Sequence, residues 1–131
     1  MGYLIEVERD TATGSGSLSY HHGDVTIDTP CWYQLKNPIP EKRYTGCSAT
    51  HMCTKKNSKG ERREGIFIPD EQTGRQGIFI HMGTDCSWSE GCIVIEESKM
   101  LRIWGSIEPK DESNVTVVVK NKQSFLHGTN V

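Results

Sequence analysis

The chain has 131 residues, a formal net charge of −2 and a pI near 6.2. That length suffices for one domain with a real hydrophobic core, and the absence of a long run of like charge argues against nucleic acid as a partner. No segment approaches the run of about 20 apolar residues that a membrane-spanning helix needs, so membrane insertion is not expected.

Thirteen glycines, five prolines and many Ser, Thr, Asn and Asp residues punctuate short β-branched or aromatic runs. This composition predicts strands more than helices. Predicted strands cover residues 3–8, 17–20, 25–28, 32–35, 65–68, 77–81, 93–96 and 115–120. Residues 11–17 read as the turn between the first two strands, and His22-Gly23-Asp24 as the next hairpin turn. Residues 38–64 are polar and too long for a plain connection, which predicts a functional flap or a partly disordered loop. Within them Lys55, Lys56, Lys59, Arg62 and Arg63 are diluted by Glu61 and Glu64. Without interleaved aromatics, that cluster reads as a solvated loop. One short helix is predicted over 96–104, with Met100, Leu101 and Trp104 on one face and Gly105 as its stop. Residues 123–131 have no period and are expected to be loose. The pattern is that of a single mostly β domain, residues 1–131, without repeats.

The five cysteines, Cys31, Cys47, Cys53, Cys86 and Cys92, are odd in number. They allow up to two disulfides with one thiol left over, or five separate thiols, and the pairing stays open. A zinc site would draw on Cys47, His51, Cys53 and Cys86, but Cys47-x3-His51-x-Cys53 lacks the usual C-x2-C spacing. No metal and no cofactor is expected. His21-His22 reads as a turn pair, and His51 and His127 as solvated. Trp32 and Trp104 read as core, whereas Trp88, in a loop, is placed to stack on a sugar or peptide.

The most informative stretch is Ile78-Phe79-Ile80-His81-Met82-Gly83, followed by Ser89-Glu90-Gly91-Cys92-Ile93-Val94-Ile95. It reads as a strand ending on a histidine, a glycine-containing loop and a cysteine opening a second apolar strand. A hairpin of that length would bring His81 and Cys92 together at one edge of a sheet. A thiol is a useful nucleophile only as thiolate, and a nearby imidazole takes its proton. Gly91 leaves room for a carbonyl to approach, and the backbone N–H groups of Gly91 and Cys92 are candidate oxyanion donors. Ser89 would add a hydroxyl to that hole or cap the turn. The group orienting His81 would be a backbone carbonyl near Gly83, or the side chain of Thr84, Asp85 or Ser87. Cys86 is the rival thiol, but it lacks a preceding glycine and a following apolar strand. Cysteine-dependent acyl transfer is the chemistry this constellation suggests.

The pattern Ile80-His81-x-Gly83 … Ser89-x-Gly91-Cys92-Ile93 resembles the active-site signature of the L,D-transpeptidase (YkuD-like) superfamily. Glu90 stands where that signature has a histidine. This and the short spacing look more like two compact branches: type VI-secreted L,D-transpeptidase-related effectors and small phage or bacterial L,D-transpeptidase-like domains. Ile39-Pro40-x-x-Arg43-Tyr44-Thr45-Gly46 is similar to an I-P-x-G-x-Y turn of the family, and residues 14–18 to its early G-x-L hairpin. The resemblance implies an L,D-transpeptidase-like β-sandwich or open barrel. It implies acyl transfer on peptidoglycan stem tetrapeptides: L,D-carboxypeptidase action, D-amino-acid exchange or L,D-transpeptidation. Cys92 maps to the nucleophile, His81 to the base and Ser89 to the serine of the box. Family members often carry Arg or Asn where this chain has Val94, so a substrate carboxylate would need another anchor. Arg75, Arg102, Arg43 and Lys55 are candidates, with Gly83 and Trp88 as further substrate contacts. The departures also suit an alternative, a catalytically inactive cell-wall-binding or phage-structural module of the same fold. Residues 1–10 show no Sec-type signal. The expectation is a protein made in the bacterial cytoplasm and acting in the periplasm or cell wall after secretion or lysis, as an antibacterial effector or phage-encoded enzyme. Its expected partners are the stem peptide and a cognate immunity protein or secretion-apparatus component.

Overall fold

The computed structural model describes residues 2–89 and 91–122; the predicted loose tail lies outside them. Eight strands make up the sheet: β1 (Tyr3–Asp10), β2 (Ser15–His22), β3 (Val25–Tyr33), β4 (Lys42–Lys56), β5 (Arg62–Ile68), β6 (Ile78–Met82), β7 (Ile93–Ile95) and β8 (Val115–Asn121). They close into a barrel in the order β1-β2-β3-β7-β6-β5-β4-β8. The mostly β architecture expected from the sequence is therefore what the chain adopts. The barrel is closed rather than open because β8 pairs in parallel with β1, Tyr3 opposite Val115 through Arg9 opposite Asn121. Closure gives every strand of the barrel a neighbour on both sides over at least part of its length.

Alternation builds the interior. In β1, Ile5 and Val7 are buried while Leu4, Glu6 and Glu8 face out, the period-2 pattern of a strand with one wet face. Leu18, Tyr20, Ile66, Ile80 and Val117 join them in the core. Burying each such side chain contributes roughly 1.5–3 kcal/mol. β3 runs through Pro30, which has no N–H to give. The strand tolerates it because β3 meets β7 only at Trp32 and Tyr33, leaving one side of Pro30 without a ladder.

The predicted flap over 38–64 is instead mostly strand. Its centre is β4, fifteen residues long, and β5 begins within it at Arg62. The interior positions of β4 are Tyr44, Cys47, Ala49 and Met52, an unusual set with no β-branched aliphatic residue. Its spacing is also broken. The register against β8 shifts between Tyr44 and Cys47, where Gly46 takes φ 69°, and that against β5 shifts between His51 and Lys56. These bulges erase the strict alternation that would announce a strand.

Two α-helices among the described residues complete the fold. α1 (Asp70–Thr73) is a single turn closed by Gly74 at φ 76°, and it was not expected. α2 (Glu97–Ser106) is the predicted helix shifted slightly along the chain, running through Gly105. Met100 and Ile103 are its fully buried residues, while Trp104 is partly covered and donates its Nε1–H to the Thr50 carbonyl at 2.9 Å. α2 thereby ties the end of β7 to the long β4. Among the described residues no helix is long and apolar enough to cross a membrane.

Candidate active site

β6 and β7 lie side by side in the barrel and run in the same direction, Ile80 opposite Ile93 and His81 opposite Val94. The predicted hairpin is thus a parallel crossover, and its connection carries a 3-10 turn at Cys86–Trp88. Parallel pairing still sets His81 and Cys92 on one face of the sheet. Ile78 and Ile80 point into the barrel, so alternation places Phe79 and His81 on the opposite face. Extending the register one step back from Ile93 sets Cys92 beside Phe79, on the same face as His81. The contact is direct: the Phe79 N–H donates to the Cys92 Sγ at 3.3 Å. The Cys92 thiol in turn lies 3.7 Å from the Gly77 carbonyl, which accepts its proton.

His81 is oriented by the backbone. Its Nδ1 is 2.8 Å from the Met82 carbonyl, so Nδ1 carries the hydrogen and the neutral ring has its lone pair on Nε2. Of the orienting groups considered above, the carbonyl is the one used. Asp85 and Ser87 are engaged with each other: the Asp85 carboxylate accepts the Ser87 N–H at 2.8 Å and the Ser87 hydroxyl, capping the 3-10 turn. Those bonds hold the Asp85 carboxyl below the usual carboxylate range.

The turn before Cys92 is built from inside. Ser89 is fully buried, donates its hydroxyl to the Cys92 carbonyl and accepts the Gly91 N–H at 3.3 Å. It caps the turn, and the Gly91 N–H points at its oxygen. Gly91 has φ 105°, a conformation L side chains rarely adopt. A Cβ there would also sit 3.0 Å from Arg75 Nη1 and 3.1 Å from Ile78 Cδ1. Arg75 backs the turn and donates to the Asn37 carbonyl at 2.6 Å.

His81 and Cys92, 3% and 5% exposed, form the base of a cleft of about 610 Å³. Phe79, Met52, Arg63 and Trp88 contribute to its walls, with Cys53, Thr54, Lys55 and Gln76 adding polar groups. Trp88 is 40% exposed and sits on Gly83; a Cβ at Gly83 would be 2.8 Å from the Trp88 Cβ and 2.9 Å from that of Val94. The Arg63 guanidinium carbon lies 5.4 Å from the centre of the Trp88 ring.

Of the candidates from the sequence, His81, Cys92, Trp88 and Lys55 line the cleft, and Ser89, Gly91 and Gly83 support it from behind. Arg75 contacts the turn rather than the cleft. Arg102 is exposed on α2 and Arg43 is exposed on β4, opposite Val118; neither lines the cleft. Among the contributors that escaped the sequence reading are Met52, Arg63 and the Phe79 N–H. Met52 and Arg63 lay in the supposed flap, and a backbone donor leaves no trace in a sequence.

No disulfide joins Cys31, Cys47, Cys53 or Cys86. Cys31 and Cys47 are sealed in the core, where burial pushes each thiol up to about 12. Cys53 and Cys86 are exposed. Among the described residues no three His, Cys, Asp or Glu side chains gather into a metal-binding group.

No family model and no curated protein matches the chain. Solved structures do. L,D-transpeptidase 1 of Mycobacterium tuberculosis superposes with a TM-score of 0.55 at 13% identity, over 91% of this chain and 63% of that one. An L,D-transpeptidase from Mycobacterium smegmatis gives 0.52 at 13% identity, over 91% and 59%. The chain spans less than two thirds of the length of either. At that identity the likeness is one of fold: the barrel is L,D-transpeptidase-like in architecture.

Proposed function

We propose that the protein is a cysteine acyltransferase of L,D-transpeptidase type acting on peptidoglycan stem peptides. The observation that carries this reading is the placement of His81 and Cys92 on one face of adjacent parallel strands, at the base of one cleft, with the His81 tautomer set by Met82. The fold shared with two mycobacterial L,D-transpeptidases supports the substrate class.

In the proposed reaction His81 Nε2 accepts the Cys92 proton, and the Phe79 N–H steadies the resulting thiolate. The sulfur attacks the carbonyl of the L-residue that precedes a D-residue. The oxyanion of the tetrahedral intermediate is received by the backbone N–H of Cys92, held in place by the Ser89 bond to the Cys92 carbonyl. Collapse returns the proton from His81 to the departing amine, releases the terminal D-amino acid and leaves a thioester. An acceptor amine, deprotonated by His81, resolves the thioester into an exchanged or cross-linked product; water gives the carboxypeptidase outcome. The biological setting proposed with this reading is an antibacterial effector or phage-encoded enzyme that meets the wall after secretion or lysis.

The test is product analysis. Purified protein is incubated with disaccharide-tetrapeptide, with and without an added D-amino acid, beside Cys92→Ala. Cys92-dependent release of the terminal D-residue, or its replacement, is the expected result. An unchanged substrate with folded wild-type protein would overturn the reading.

A further inference from the structure

The strand that follows the nucleophile offers no cation, since Val94 is fully buried between β3 and β6. The cleft itself contains two, Arg63 and Lys55, and no Asp or Glu among its described lining residues. Arg63 is the more constrained of the pair. Gly65 lies opposite His81, so Arg63, two residues earlier in β5, falls on the strand face that His81 shares. Its Nε donates to the Lys56 carbonyl at 2.9 Å, and its plane is stationed over Trp88 at 5.4 Å. Those two contacts fix the guanidinium, while neither Nη nitrogen makes a hydrogen bond among the described residues. Glu97 is the acidic group whose charge is felt at Arg63, and its carboxylate accepts the Ser58 N–H at 3.1 Å. A half-buried, pre-oriented guanidinium with both Nη groups available is suited to a bidentate carboxylate.

We propose that Arg63, held over Trp88, is the carboxylate anchor of the cleft and selects donor peptides that carry a carboxylate near the bond to be broken. The anchor rests on the acyl-transfer reading only for the identity of the donor, and binding alone can test it.

Cys92→Ala protein is titrated with disaccharide-tetrapeptide as free acid, as C-terminal amide and as side-chain amide. Free acid should bind about tenfold to hundredfold more tightly than one of the amides, the range expected for losing a charged hydrogen-bonded partner. The amide that binds weakly identifies which carboxylate is held. Adding Arg63→Gln should erase that preference, and Arg63→Lys should restore part of it, with circular dichroism confirming the fold. An equal preference in folded Arg63→Gln, no preference among donors, or no binding at all would overturn the anchor. The two proposals separate cleanly. Cys92-dependent turnover indifferent to Arg63 removes the anchor alone, whereas Arg63-dependent binding without turnover removes the chemistry alone.

Discussion

The backbone N–H of Phe79 donates to the sulfur of Cys92 at 3.3 Å, across two strands that run in the same direction. β7 begins at Ile93, so at Cys92 the side-chain sulfur takes the place of a backbone acceptor for β6. A donor aimed at sulfur favours the thiolate over the thiol. With small iodoacetamide near pH 7, Cys92 is therefore expected to alkylate faster than exposed Cys53 and Cys86, and the advantage should shrink in His81→Gln. Peptide mapping after short exposures reads the order. Modification of Cys53 and Cys86 first, with Cys92 inert, would instead fit a binding module that has lost turnover.

In the proposed reaction His81 acts through Nε2, because its Nδ1–H is committed to the Met82 carbonyl. Replacing it by Gln removes the base while keeping a polar group of similar reach. The expected loss is about a hundredfold to ten-thousandfold in kcat, with the melting temperature little changed. Steady-state kinetics beside a thermal melt would check both halves.

Ser89 has no contact with solvent and joins the Gly91 N–H to the Cys92 carbonyl. Ser89→Ala leaves both of those groups without their partner in a buried turn, at a cost of about 1–3 kcal/mol. The loosened turn should lower kcat while KM stays near its original value. Chemical denaturation and kinetics on the same preparation would separate the two effects.

The contact of Trp88 with Gly83 makes the cleft wall sensitive to a single methyl group. Gly83→Ala would drive a Cβ to 2.8 Å from the Trp88 Cβ and 2.9 Å from the Val94 Cβ, closer than real contacts allow. Overpacking of this kind costs about 1–3 kcal/mol and should move Trp88 toward solvent. A red shift in tryptophan emission with a lowered melting temperature is the expected pair of signals.

Cys31 and Cys47 give the fold an alkaline limit. Burial raises both thiols from an ordinary value near 9 to about 12, the Arg9 charge opposing the shift at Cys31. Burial likewise raises Tyr20, Tyr33 and Tyr44. Groups with a raised folded value stabilise fully below their unfolded value, and the contribution is lost as pH climbs toward the folded one. Stability should accordingly fall between about pH 9 and pH 12. Denaturant melts at pH 8, 9.5 and 11 would show it, and Cys31→Ser with Cys47→Ser should flatten the slope.

Where the sequence carried regular alternation, the fold was legible. The Tyr3–Asp10 and Val115–Asn121 strands and the Glu97–Ser106 helix lie at or near their predicted places, whereas the two strands expected over 25–28 and 32–35 are one, Val25–Tyr33. Residues 42–56 were not legible, because two register shifts and a core of Tyr44, Cys47, Ala49 and Met52 hide the period. That miss also concealed Arg63, whose strand was taken to start at Gly65. At the site, residue identities pointed to His81 and Cys92, while the direction of the strands did not follow from them. A histidine, a glycine-containing loop and a cysteine read alike for a hairpin and a crossover. Only β7, pairing between β3 and β6, decides in favour of the crossover.

The most direct measurement is the intact mass of the protein itself, taken after mixing with disaccharide-tetrapeptide without added amine and quenching in acid within seconds, before the thioester is resolved. The account predicts an adduct equal to the donor minus its terminal D-residue, on Cys92, absent in Cys92→Ala. Turnover of the donor that persists undiminished in Cys92→Ala would contradict it.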